Sequence, residues 1–379
     1  MAYLYFYGFE SDEMRWYGVN VCEEDIFKAA NEVLMAGQET IPTTNTEDEE
    51  NSERKRSSLL EVLYSVERPF GGLGLRIRPS AISAGVISYQ SSCVALGPFI
   101  YCVGGLDVDH EPPILDQVHR LDTRRRSHPE SESGWESCTP MNVARYCSKI
   151  AAIDGKLFVM GGTLEHMYGL DPVKWGECFD PITNKWQFLP PIPVEVDQDQ
   201  ISQWPVAVIA EDNKFVVCSN RNLLSFDVKS WSWTREDCRM FVSLLDRMKS
   251  DGKSIFRLRP AMAGSTMYWF DAGRMFLSVY AYDLIQKKCF SRRLGLEDFE
   301  SEGDLLPDFM IPTLLHLHDE IFCLVWVDGF LHHETELWHI RCTKLKISKQ
   351  EHTLSVGVES TQTYLVDGNG FTYLGAILV

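Results

Sequence analysis

The sequence has 379 residues, of which 45% are hydrophobic, 12% aromatic and 24% charged, a composition that suits a folded globular protein and excludes wholesale disorder. Its 36 Lys and Arg against 54 Asp and Glu leave a net charge of −18. Such a surface repels nucleic-acid backbones and anionic lipid, so neither nucleic acid nor membrane is an expected partner.

The opening stretch, residues 1–16, is apolar but has no basic leader and no small-residue cleavage site, so no signal peptide is expected. Eleven cysteines without a CxxC fit reduced thiols and a cytoplasmic or nuclear location. Tyr3–Phe9 and Arg15–Val21 read as strands, and residues 22–58 then interrupt the pattern. Ile26, Phe27, Ala30, Val33 and Leu34 share one face of a helix predicted over 23–36, with acids in its first turn. Residues 37–58 are polar and acidic and are expected to be disordered, which makes the insertion a solvated one. Leu59–Glu67 reads as the next strand.

Two segments further on superimpose: Cys93–Leu106 and Ile150–Thr163. Each is an apolar strand, a tight turn and a second apolar strand closed by a glycine pair, Gly104-Gly105 or Gly161-Gly162. Asp154-Gly155 suits a two-residue hairpin turn, and a glycine pair permits positive φ and close backbone approach. Between the copies, Thr123–Gly134 reads as an exposed loop, within which Arg124, Arg125 and Ser127 match a short kinase pattern.

The second half of the unit also recurs. Glu177–Gln187 and Leu224–Thr234 each place an aromatic-Asp pair ahead of a tryptophan, Trp186 or Trp233. The Asp marks a turn between outer strands, and the tryptophan is a wedge between sheets. Weaker copies follow at Met267–Arg274 with Ala281–Ser291, and at Glu320–Phe330 with Thr335–Lys346. Tyr101, Phe158, Phe215, Tyr268 and Phe322 mark the second strands at steps of 57, 57, 53 and 54 residues. A period near 50 with four short strands describes a radial β-repeat.

In that order the glycine doublet, the aromatic-Asp turn and the tryptophan resemble the kelch repeat family. The resemblance implies an all-β, six-bladed kelch-type propeller of four-stranded blades, one domain over 1–379. The ring is expected to close by pairing the chain ends, with Phe371–Val379 as first strand beside Tyr3–Phe9. In an alternative register the two N-terminal strands are the third and fourth of that blade.

No nucleophile elbow, phosphate loop, dinucleotide fingerprint or HExxH occurs. His316 and His318 share a strand face but lack a third ligand in register, so no metal or other cofactor is expected. Two enzymatic relatives of kelch proteins frame the alternative. Copper-dependent galactose oxidases are secreted, and plant specifier proteins hold iron in an E-x-x-x-D-x-x-x-H pattern. Here Glu300, Asp304 and Asp308 have that spacing with Asp in place of His. With a strand beginning at residue 3, no F-box or BTB module is expected ahead of the propeller.

The resemblance therefore implies a non-enzymatic interaction module in the manner of plant kelch-repeat proteins, possible adaptors, that grips a protein or peptide at the channel mouth. Repeat alignment places Tyr89, Arg145, Tyr146, Trp204, Arg257 and Arg259 at the starts of inner strands. Guanidinium forks at that mouth favour an acidic or phosphorylated partner; packing between blades is the alternative role for each residue.

Overall fold

A strand that is apolar at successive positions needs a covering neighbour on both faces, because its side chains alternate from one face to the other. The second strands Phe99–Val103, Lys156–Met160, Lys214–Cys218, Thr266–Ala272 and Ile321–Asp328 have this character. The computed structural model covers both faces by setting six antiparallel sheets around an axis as a β-propeller. It describes residues 3–10, 13–20, 75–76, 81–82, 87–88, 90–107, 114–124, 134–162, 175–192, 206–209, 213–218, 223–236, 241, 260–272, 277–294, 312–328, 337–351, 353–367 and 372–379.

Blade 1 orders its strands Thr372–Leu378, Tyr3–Glu10, Glu13–Asn20 and Ala81–Ile82 from the inside outward. Blade 2 follows with Ser92–Leu96, Phe99–Val103, Val118–Asp122 and Trp135–Ser137. Blade 3 is Lys149–Ile153, Lys156–Met160, Gly176–Asp180 and Lys185–Phe188. Blade 4 is Val206–Ile209, Lys214–Cys218, Leu223–Asp227 and Ser232–Glu236. Blade 5 is Ala261–Ala263, Thr266–Ala272, Leu277–Asp283 and Lys288–Leu294. Blade 6 has Thr313–His318, Ile321–Asp328, Leu337–Lys349 and Leu354–Asp367, and adds Leu75–Arg76 in parallel at Tyr364 and Leu365.

The alternation of side chains is what joins the blades. Tyr5 and Tyr7 pack toward blade 2 with Ile100 and Cys102, whereas Leu4 and Phe6 pack toward blade 6 with Val325 and Ile340. Tyr101 and Val103 meet Leu157 and Val159; Phe158 and Met160 meet Phe215 and Val217 on the other side. Val216 then meets Met267 and Trp269, and Tyr268 and Phe270 meet Phe322 and Leu324. Six apolar seams result, each shared by two neighbouring sheets.

The chain ends close the ring. Thr372–Leu378 runs antiparallel to Tyr3–Glu10, with Leu4 opposite Leu378 and Phe6 opposite Ala376. Tyr3 and Val379 exchange two backbone bonds, of 3.1 and 2.9 Å. This settles the register in favour of the expected one: the N-terminal strands are second and third. The fourth strand, however, is Ala81–Ile82, paired with Arg15 and Trp16, where Leu59–Glu67 was expected. An outer strand is paired on one side only, so a two-residue stretch without marked alternation can fill it. Residues 59–67 lie outside the described residues, as do the acidic insertion at 22–58 and residues 125–133 of the second insertion.

The turns and wedges repeat at atomic detail. Asp180, Asp227 and Asp283 each accept two backbone N–H bonds, from the residues two and three further on, at 2.8–3.3 Å. In each case the residue four after the Asp has positive φ: Asn184, Trp231 and Lys287. The carboxylate thus replaces a backbone acceptor in the turn. Trp186 Nε1 donates to the Thr139 carbonyl at 2.9 Å, and Trp233 Nε1 to that of Pro190 at 3.0 Å. Each indole reaches from an outer strand to the chain leaving the preceding blade. Trp135 takes the equivalent place beside blade 1, 5.5 Å from the ring of Trp16.

Two outcomes test these contacts. Deleting Thr372–Val379 uncovers the edge of Tyr3–Glu10 and is expected to abolish the cooperative thermal transition followed by circular dichroism; a transition within a few degrees of full length would contradict closure. Trp186→Ala is expected to lower stability by about 3 kcal/mol in urea titration, and a loss below about 1 kcal/mol would remove the wedge from the account.

Candidate functional site

Strand direction sorts the ring into two faces. In blade 3 the first residue of the inner strand, Lys149, lies opposite the last of the second strand, Met160. Blade-to-blade crossovers and glycine doublets therefore emerge together on one face, and the Asp-capped turns emerge on the other. The crossover from blade 2 to blade 3, residues 138–148, lies wholly within the described residues and shows how the crossover face is built.

Its backbone is stitched to both blades. Gly105 N donates to the Arg145 carbonyl at 2.8 Å, Arg145 N to that of Leu115 at 3.0 Å, and Tyr146 N to that of Gly162 at 2.7 Å. Gly104 and Gly162 have φ of +61° and +74°, and a Cβ on either would strike the carbonyl of Arg145 or Tyr146. The doublet is therefore a requirement of close approach. Cys147 N reaches back to the Gln90 carbonyl at 3.0 Å, and Ser92 Oγ donates to the Ser148 carbonyl at 2.6 Å. Gln90 and Cys147 share a positive φ at equivalent places in successive crossovers.

Arg145 is fully buried beneath this belt. Its Nε donates to Glu177 Oε1 at 3.1 Å, and one Nη to the carbonyls of Gly161 and Trp175 at 2.7 and 3.1 Å. Glu177, also fully buried, accepts at Oε2 from the backbone and side-chain amides of Asn142, at 2.9 and 3.0 Å. Burial pulls the guanidinium's pKa down, and the facing carboxylate opposes that pull; arginine remains charged. The pair ties the crossover to the third strand of blade 3 and to its glycine doublet.

The structure thus corrects the expectation for Arg145 as a partner contact: its guanidinium is satisfied internally and does not reach the surface. Tyr146, the next residue, is half-buried on the crossover, flanked by exposed Asn142 and Cys147. Tyr89, Trp204, Arg257 and Arg259 lie outside the described residues. Sequence reasoning passed over Glu177, although a carboxylate inside the strand Gly-Glu-Cys-Phe-Asp of residues 176–180 is itself a signal for a buried cation. His316 and His318 both bond to Asp319 in a turn on the opposite face, and among the described residues no three metal-ligating side chains come together.

The comparisons with known proteins agree with this geometry. The family model described as the Kelch motif matches residues 144–193, the stretch that runs from this crossover through blade 3. Residues 144–193 carry a kelch repeat, and the ring around them is a six-bladed β-propeller. A putative F-box/kelch-repeat protein of Arabidopsis thaliana is 33% identical over 30% of this chain and 31% of its own length. An F-box/kelch-repeat protein of the same plant is 30% identical over 39% and 36%. Kelch-like protein 41 of Homo sapiens is 30% identical over 31% of this chain and 18% of its own. The chain matches about a third or less of each relative's length. Within the kelch repeat of blade 3, the Arg145–Glu177 pair spans crossover and third strand.

Leaving one member of a buried ion pair uncompensated is expensive, whereas removing both is often tolerated. Arg145→Met is therefore expected to lose about 3–5 kcal/mol in urea unfolding. Adding Glu177→Leu to it should recover part of that loss, and purely additive losses would refute the coupling.

Proposed function

We propose that this propeller is a non-enzymatic interaction module that binds a protein or peptide on its crossover face. The observation that carries the reading is the rigid crossover itself: a kelch blade junction pinned at Gly105, Arg145 and Tyr146 that presents Tyr146, Asn142 and Cys147 on a preorganised surface. A rigid aromatic next to hydrogen-bonding groups favours tight association, because little side-chain freedom is lost on binding. The relatives' names join the kelch repeat to an F-box, which supports an adaptor role as part of the proposal.

An acidic or phosphorylated partner remains part of the reading, with the charge supplied by Arg257 and Arg259 rather than by Arg145. Cys93, Cys102, Cys138, Cys178, Cys323 and Cys342 are free thiols, which supports a reducing compartment, cytoplasmic or nuclear. The metal-dependent alternative would use Glu300, Asp304 and Asp308, which lie outside the described residues; metal analysis of the purified protein separates it from the binding reading.

The binding test uses the full chain as bait. A photo-reactive residue at position 146 should cross-link to the captured protein, and Tyr146→Ala should weaken capture at least tenfold with an unchanged melting temperature. Arg257→Glu with Arg259→Glu should also weaken capture, and wild-type affinity should fall with added salt. Undiminished capture by Tyr146→Ala would place the binding surface elsewhere, and salt-independent binding would remove the acidic partner.

A further inference from the structure

Blade 2 holds two thiols in contact. Cys93, in the inner strand, lies directly opposite Cys102 in the second strand, and their sulfurs are 2.8 Å apart, with Cys102 donating. Both are free. They face the seam with blade 1, beside Tyr7, Trp16 and Ile377. Cys102 is buried, whereas Cys93 is half-exposed. The arrangement pairs one partly exposed cysteine with one buried cysteine on a shared strand pair.

The backbone already meets the demands of a bond between them. Directly opposed residues in an antiparallel pair have Cα atoms about 4.5–5.5 Å apart, inside the roughly 4.4–6.8 Å that disulfides span. No strand has to shift. We propose that Cys93 and Cys102 form a reversible oxidation site for a hydroperoxide, yielding a cross-strand disulfide within blade 2.

The steps balance with hydrogen peroxide as oxidant. The Cys93 sulfur attacks one peroxide oxygen and the O–O bond breaks. One oxygen leaves as water and the other stays on Cys93 as a sulfenic acid. The Cys102 sulfur then attacks the Cys93 sulfur, the S–S bond forms, and the second oxygen leaves as water. Two thiols are oxidised, one peroxide is reduced, and the two thiol hydrogens end in the two waters. The order follows from access and ionisation: burial, and then the neighbouring Cys93, push the Cys102 thiol well above its usual pKa, so it serves as the resolving group. A dithiol reductant reverses the bond by exchange.

The test treats the reduced full-length protein with hydrogen peroxide, alkylates the remaining thiols and digests without reductant. A protease that cuts after Phe99 and Tyr101 separates the two cysteines, so only a disulfide can hold their peptides together. The expected product is that joined pair, two hydrogens lighter than the separate thiols and released by reductant, with both positions losing alkylation in equal proportion. In Cys102→Ser, Cys93 should accumulate as a sulfenic acid trapped by a 1,3-diketone reagent. If that variant fails to fold, the wild-type peptide masses decide alone. The proposal is overturned if both cysteines remain alkylated at peroxide levels that oxidise the exposed Cys147, or if either joins a different cysteine.

Discussion

Burial of the second strand on both faces is the constraint from which the ring follows. A sheet covered on one side can stop at solvent; one covered on both sides passes the requirement to its neighbours. Tyr101 and Ile100 serve different seams although they are adjacent in sequence, and the same is true of Phe322 and Cys323. The requirement ends only when the last sheet meets the first. That is why the bonds between Tyr3 and Val379 matter beyond their number, since they complete the blade whose two faces terminate the sequence of seams.

Within that frame, a buried charge is tolerated where it replaces backbone partners. Arg145 and Glu177 sit where a crossover must pass under two carbonyls and beside an exposed asparagine, and the pair satisfies the carbonyls of Gly161 and Trp175 together with both amides of Asn142. A hydrophobic pair of the same volume would leave these groups without partners. The ion pair is therefore best understood as a joint between blades 2 and 3, with any recognition carried by the side chains above it. An ion pair between Lys349 and Asp283, 2.6 Å apart, similarly joins blade 6 to a turn of blade 5.

What was legible in the sequence is what leaves a local imprint. Doubly covered strands read as continuous apolar runs, close approach reads as Gly104-Gly105 and Gly161-Gly162, and a side-chain-capped turn reads as Asp180 or Asp227 ahead of a tryptophan. The closing strand was legible because Phe371–Val379 repeats the pattern of an inner strand. Arg145 is legible as a position but not in its role, because its partner is 32 residues away and only the packed blade brings the two charges together. The outer strand of blade 1 was misplaced for the opposite reason: two residues paired on one edge carry too little pattern to stand out.

The meeting of Tyr3 with Val379 has a consequence for anything joined to this propeller. Both ends of the described chain leave from one spot, at the position of a first hairpin turn. Strand direction puts that spot on the face of the Asp-capped turns, away from the crossovers. A domain or tag attached at either end is thus tethered behind the ring and leaves Tyr146 unobstructed. Two attachments, one at each end, would begin side by side, so the propeller would act as a clasp that holds them within a few residues of each other while its far face stays free.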